Sequence, residues 1–256
     1  MKESTNRQSL AFQFAAPVGI AVVSVTAFAW YVTWLSADSM LSLMMMPLTM
    51  LDSLEVGTFF ALMTTMMIAM MLPAALPMII TYRRMVKAKK EFQSGRGEIR
   101  TVSFLAPYLL VWGGFGVASL SGLVILGLMG PMSGIMSSAP GVALLAAGGY
   151  QFTRAKEACL EQCQTPFSFM LSHWRDGNLG AVRMGLSHAS YCIGCCWLFM
   201  LVLFLTGAMS LLWMGGVSLI IFVEKVGFKR ALTSRIVGVL LILLGSGFTI
   251  QTLTTL

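Results

Sequence analysis

The residues of this chain best suited to chemistry lie in one short stretch, residues 183–197, which runs directly into an apolar segment. Its sequence, RMGLSHASYCIGCCW, holds three of the five cysteines and one of the two histidines within nine residues. On an α-helix each residue turns about 100°, so the potential metal ligands of this stretch share one arc of about 120°: Met184, His188, Cys192, Cys195 and Cys196. Soft thiol, thioether and imidazole groups on one face predict a site for Cu(I), with Zn(II) as the alternative metal.

A second pair of thiols precedes this stretch. Cys159 and Cys163 are four residues apart, so on a helix they share one face. The topology predicted below places Cys159 and Cys163 on the same side of the membrane as His188 and Cys192. The two clusters can therefore meet. We therefore predict Cys159, Cys163, His188, Cys192 and Cys195 as metal ligands, with Cys196 and Met184 as lesser candidates. The other histidine, His173, is interpreted as a solvated loop residue.

Methionine is unusually abundant, with 21 residues. One face of a single predicted helix carries six of them: Met63, Met66, Met67, Met70, Met71 and Met78. Adaptable apolar packing explains any single methionine. As a set, with further methionines in the loops on the opposite side from the thiols, they predict a relay of weak thioether ligands for Cu(I). Met66, Met67, Met70 and Met71 are its candidate ligands.

Composition points to a polytopic membrane protein. Hydrophobic residues make up 57% of the chain and charged residues 11%, whereas a soluble domain carries about 25% charged residues. The net charge of +7 is interpreted as a basic rim facing anionic lipid, so membrane lipid is an expected partner and nucleic acid is not. No phosphate loop, Ser-His-Asp order or intramembrane carboxylate pair is visible, so no catalytic residues are predicted and the chain is not expected to be an enzyme.

The fold class predicted from hydropathy is all-α, a bundle of about seven transmembrane helices in one domain, residues 1–256. The predicted helices cover residues 13–36, 57–82, 102–129, 140–152, 184–206, 208–225 and 235–254. All 17 basic residues then fall in residues 1–12, 83–101, 153–183 and 225–235. By the positive-inside rule, this distribution predicts a cytoplasmic N terminus in a bacterial inner membrane. Six helices remain the alternative. At the end of the sixth predicted helix, Glu224 and Lys225 are expected to form a local ion pair, or Glu224 to pair with Arg183.

Four groups of residues in this sequence resemble the signatures of one bacterial family. They are Met66-Met67-Ile68-Ala69-Met70-Met71-Leu72-Pro73 with Pro77-Met78; the spaced Tyr150, Thr153, Lys156, Cys159, Leu160, Cys163 and Pro166; the run from Trp174 to Trp197; and Glu224-Lys225. The family is that of predicted metal-binding integral membrane proteins of unknown function. It includes the copper-delivery partner of a tyrosinase-type polyphenol oxidase. The resemblance covers residues 60–230.

The resemblance implies copper binding and a chaperone-like role for an accompanying copper enzyme or membrane complex. Gln164 and Ala189 depart from residues common in the family, and neither change removes a candidate ligand.

Two other functions stay open. One is a membrane thiol–disulfide oxidoreductase that uses the redox spacing of Cys192 and Cys195. The other is an accessory structural subunit in which a metal only clamps the helices.

Overall fold

The computed structural model describes residues 2–45, 52–88, 96–126, 138–207, 210–227 and 230–254, and all regular secondary structure within these ranges is helical. The described residues form ten helices: α1 Lys2–Leu35, α2 Ala37–Met45, α3 Ser53–Ala88, α4 Arg96–Ile125, α5 Ala139–Tyr150, α6 Arg154–Gln164, α7 Pro166–His173, α8 Gly177–Gly207, α9 Leu211–Val226 and α10 Arg230–Thr254. The predicted all-α class is confirmed.

Five helices are long and apolar enough to cross a membrane, in the segments Pro17–Leu35, Ser53–Lys87, Gly97–Ser119, Gly177–Thr206 and Leu232–Thr254. The lengths and apolar composition of these five helices are compatible with a membrane protein. The helix α5, predicted as a span, has 12 residues and therefore extends about 18 Å, against about 30 Å for a hydrocarbon core. The helix α9 has 16 residues and is also shorter than a usual span.

Two segments between the predicted transmembrane helices contain helices of their own. The predicted loop at 37–56 contains α2, which ends at Met45, and Met46 and Met50 lie outside the described residues. The charged segment 153–183 forms α6, α7 and the first turns of α8. Hydropathy detects long apolar runs, so it overlooks short amphipathic helices of this kind.

Local chemistry sets where several helices begin. At the start of α3, Asp52 and Glu55 form a reciprocal capping box. The Asp52 Oδ1 accepts from the Glu55 amide at 2.8 Å and the Glu55 Oε2 accepts from the Asp52 amide at 3.0 Å. The Thr153 hydroxyl caps α6 by accepting from the Lys156 amide at 3.3 Å. At the start of α8, Gly177 has a φ of +83°, which glycine adopts without strain.

The helices α3 and α8 form the centre of the bundle. Half of the apolar window in each is buried, whereas less than a third of the windows of α1, α4 and α10 is buried. Outward-facing apolar side chains such as Phe28, Leu110 and Leu243 suit a lipid environment. Glycine lets the helices come close: a Cβ at Gly185 on α8 would collide with the Phe104 carbonyl of α4. These contacts place the ligand-bearing face of α8 inside the protein.

Candidate metal centre

Three thiols of α8 lie in the protein interior. Cys192, Cys195 and Cys196 are buried, and the sulfur atoms of Cys195 and Cys196 donate to the Cys192 carbonyl at 3.1 and 2.8 Å. All five cysteines are free thiols in this structure. The α-helical spacing therefore brings the predicted cysteines onto one buried face, where sulfur atoms are available to a soft metal.

The helix α6 adds a fourth buried thiol to this group. Hydrogen bonds with the Cys192 and Cys195 sulfur atoms, together with burial, raise the pKa of Cys163 well above its ordinary value. Cys163 therefore keeps its proton at neutral pH. It shares one buried core cluster with Cys192 and Cys195, so the two thiol clusters pack together as predicted.

Cys159 lies at the edge of the same contact between α6 and α8 and is only partly buried. A Cβ at Gly194 would come within 2.6 Å of the Cys159 sulfur, so glycine is what allows this close approach. Burial raises the pKa of Cys159, and the negative charge that Cys195 can carry raises it further, while Lys156 opposes the shift. Cys159 is thus the thiol of the group nearest to the surface.

A lysine contacts the central thiol. The Lys225 ammonium of α9 donates to the Cys192 sulfur at 2.7 Å, and the Tyr108 hydroxyl of α4 lies 3.2 Å from the same sulfur. Both side chains are buried. An ammonium group at this distance stabilises a thiolate, which is the form of cysteine that binds metals. The arrangement therefore favours the thiolate form of Cys192.

The neighbouring carboxylate has a different partner. Glu224 accepts from the Lys156 ammonium of α6 at 2.7 Å, and both side chains are almost completely buried. The Gln164 side-chain amide also donates to the Glu224 carbonyl. The expected local pair of Glu224 with Lys225 is therefore wrong, as is the pairing with Arg183. Consecutive residues of a helix point about 100° apart, so Glu224 and Lys225 reach different neighbours.

His188 is buried, and neither ring nitrogen has a hydrogen-bond partner among the described residues. Its ring stacks on Tyr108 with centroids 5.1 Å apart, and Phe104 and Phe169 pack against it at 6.1 and 5.8 Å. A buried polar group without a partner is costly in free energy. The two ring nitrogens are therefore available to bind a metal ion carried as cargo, because neutral imidazole is a common metal ligand.

The other histidine is not simply solvated. The His173 ring stacks on Phe169 with centroids 4.5 Å apart, and its Nδ1 lies 2.9 Å from the Ser172 hydroxyl and 3.2 Å from the Phe169 carbonyl. The interpretation of His173 as a solvated loop residue is wrong, because it ends the helix α7 and packs on that helix's own aromatic residue.

The methionine stripe of α3 is buried as its helical spacing indicates. Met63, Met66, Met67, Met70 and Met71 share one core cluster with the buried cysteines, as do their partners on α4 and α9. Met78 and Met184 belong to a separate apolar cluster around Tyr82 and Phe169. Met184 is thus less closely associated with the thiols than its position on the helical wheel predicts.

The described side chains do not form a finished coordination sphere. Within those ranges, no group of three or more His, Cys, Asp or Glu side chains is arranged to hold a metal ion. Cys195 and Cys196 donate to a carbonyl, Cys192 contacts Lys225, and the His188 ring lies against aromatic residues. Metal binding at this place requires these side chains to turn toward one ion.

Sequence reasoning missed Lys225, Lys156 and Tyr108 as members of this region. The signal for Lys225 and Lys156 was present, because a charged residue inside or beside an apolar helix is by default a functional candidate that needs a partner. Tyr108 carries no such signal. Its contact with Cys192 joins residues 84 positions apart and arises only from the packing of α4 on α8.

Comparison with known proteins assigns the family. The PpoB2 family, described as a copper chaperone, matches residues 60–248. This range includes the predicted family-like core at 60–230 and extends into α10. No curated protein and no solved structure matches the chain. The match covers well over half of the sequence and all of the thiol, histidine and methionine residues described above, so the chain belongs to the PpoB2 family of copper chaperones.

Proposed function

We propose that this protein binds Cu(I) at the thiol cluster of α6 and α8 and delivers it to a partner copper-dependent enzyme from a bacterial inner membrane. One observation carries the proposal. Four buried thiols lie where α6 meets α8, and Tyr108 contacts both Cys192 and the buried His188, whose two ring nitrogens have no hydrogen-bond partner among the described residues. The family match supports a copper-handling role in general.

The proposed ligands are Cys163, Cys192 and Cys195, with His188 as a nitrogen ligand. Cu(I) favours thiolate ligands, and Cys192 contacts the Lys225 ammonium at 2.7 Å. When copper binds, the ion takes the place of the ammonium as the positive charge beside Cys192. Cys159 and Cys196 are proposed as ligands that exchange during transfer, because Cys159 is nearest to the surface and Cys196 adjoins the cluster.

The buried methionines of α3 are proposed as a second, weaker set of ligands. Met66, Met67, Met70 and Met71 share a core cluster with the cysteines, so copper held by thioethers would lie on the way to the thiols. Thioethers carry no charge and bind Cu(I) without losing a proton, which favours rapid exchange. Met184 lies in the other apolar cluster and is proposed only as an outer contact of His188.

The test is metal analysis of the protein purified in detergent under reducing conditions and supplied with Cu(I). We expect near-stoichiometric copper in the wild type and its loss in a Cys192→Ser/Cys195→Ser variant. Ser190→Ala on the exposed side of α8 is the matched control and should keep its copper. Zinc in place of copper would support a structural clamp, and a wild type without either metal would contradict the proposal.

A second function has one observation in its favour. The contact between Lys225 and Cys192 also suits a reactive thiolate, and Cys195 follows at a redox spacing, as in a thiol–disulfide oxidoreductase. Such an enzyme must form a Cys192–Cys195 disulfide during turnover. Thiol counting after mild oxidation discriminates the two functions, because the copper carrier needs no reversible disulfide and the oxidoreductase does.

A further inference from the structure

A cavity of about 700 Å³ lies beside α6, on the side of that helix away from its cysteines. It is lined by the end of α5, by α6 and by the first turns of α10. Its polar side chains are Gln151, Thr153, Glu157, Glu161, Gln164, Ser234 and Arg235. A cavity of this volume accommodates a small organic ligand. The thiol cluster described above does not include any of these residues.

A second, narrow void lies next to the cavity, and the two have Gln151 in common among their lining residues. The void is lined by Cys195, Cys196, Lys156 and Gln151, and it is too narrow to hold a water molecule. Gln151 lines both spaces and therefore stands between them.

Two buried interactions hold the polar side chains that line these two spaces. The Ser234 hydroxyl of α10 donates to the Gln151 Oε1 at 2.8 Å, which fixes the side chain between the two spaces. The Lys156 ammonium, which lines the void, is held by Glu224 at 2.7 Å and lies 4.8 Å from the centre of the Phe199 ring. Rotation of the Gln151 side chain away from Ser234 would join the cavity to the void.

We propose that this cavity is the port through which copper reaches or leaves the thiol cluster, carried as Cu(I) on a small zwitterionic thiol. The inference rests on the proposed function and deepens it. The carboxylates of Glu157 and Glu161 complement an ammonium group of the carrier, and the guanidinium of Arg235 complements its carboxylate. A carrier of tripeptide size fits the volume of the cavity.

The transfer at this port is a ligand exchange. The bond between copper and the carrier sulfur breaks as a bond between copper and the Cys195 sulfur forms. The proton that leaves the Cys195 thiol passes to the departing carrier thiolate. Copper stays as Cu(I), so the step needs neither an oxidant nor a reductant.

The experiment measures the rate of anaerobic loading from the Cu(I)–glutathione complex by the near-ultraviolet absorption of copper–thiolate bonds. Glu161→Trp places a large ring in the cavity, at an exposed position of its wall. Ala158→Trp is the matched control, because it is exposed on the same helix and does not line the cavity. We expect at least about tenfold slower loading in Glu161→Trp, with unchanged final copper content, and a wild-type rate in the control.

Equal loading rates in both tryptophan variants would overturn the port. A wild type that takes up no copper from any donor would instead overturn the proposed function, so the two failures are distinct. The carrier class is tested by Glu157→Gln/Glu161→Gln and by Arg235→Gln. Both should raise the half-saturating concentration of Cu(I)–glutathione and leave loading from Cu(I) in acetonitrile unchanged. Equal effects on both donors would overturn the zwitterionic carrier.

Discussion

The methionine face of α3 and the thiol face of α8 lie in one core, yet they are built differently. The methionines from Met63 to Met71 are surrounded by apolar side chains. The thiols are accompanied by a buried ammonium at Lys225 and by the buried ion pair of Lys156 and Glu224. Thioethers stay neutral, whereas a thiolate must lose a proton and needs a nearby positive charge. The difference teaches that side chains which must become thiolates need a buried positive charge nearby, whereas thioethers do not.

The largest effect on stability is expected from breaking the buried ion pair of the thiol region. Lys156→Met leaves the Glu224 carboxylate buried without its cation, and removing one partner of such a pair costs about 3–5 kcal/mol. Thermal unfolding in detergent should show this loss. The double variant Lys156→Met/Glu224→Leu should recover most of it, because no charge is left unpaired. A single variant as stable as the wild type would show that the pair is not desolvated.

The methionine region should tolerate substitution far better. Leucine conserves volume and apolar character, so each of Met66→Leu, Met67→Leu and Met70→Leu should cost less than about 1.5 kcal/mol. The triple variant should keep the copper held by the thiols and lose copper that is held more weakly. Equilibrium dialysis against a graded Cu(I) chelator measures both. Met200→Leu, a buried methionine on α8, is the control. Unchanged weak binding in the triple variant would contradict the relay.

The smallest effect concerns the pH dependence of stability without metal. The pKa of Cys163 is raised in the folded protein, so the folded state holds that proton more tightly than the unfolded chain does. The resulting stability is present below the ordinary thiol pKa and is lost as the pH rises through the raised one. Melting temperatures from about pH 8 to about pH 10.5 should fall more in the wild type than in Cys163→Ser. Parallel curves would show that Cys163 is not held protonated.

Much of this arrangement follows from local sequence, and the rest depends on distant contacts. The spacing of Met63, Met66, Met67 and Met70 predicts their shared burial, and the four-residue spacing of Cys159 and Cys163 predicts a helix that meets α8. The contact of Lys225 with Cys192 could not be predicted in this way, because it joins residues 33 positions apart on two helices.

The orientation of short helices also cannot be predicted from the local sequence. Periodicity at a single helix shows which side is apolar, and it does not show which neighbour covers that side. Glu224 illustrates this limit, since its partner Lys156 belongs to α6, a helix that hydropathy does not detect. The membrane orientation and the number of spans remain predictions from the basic residues.

The central claim is that copper is bound by the thiols of α6 and α8, and copper K-edge X-ray absorption of the Cu(I)-loaded protein tests it most directly. We predict a coordination shell dominated by sulfur with one nitrogen, and loss of the nitrogen contribution in His188→Phe. In Cys192→Ser/Cys195→Ser the thiolate signal should disappear. A spectrum that is the same in the wild type and in the cysteine variant would contradict the claim and place the copper elsewhere.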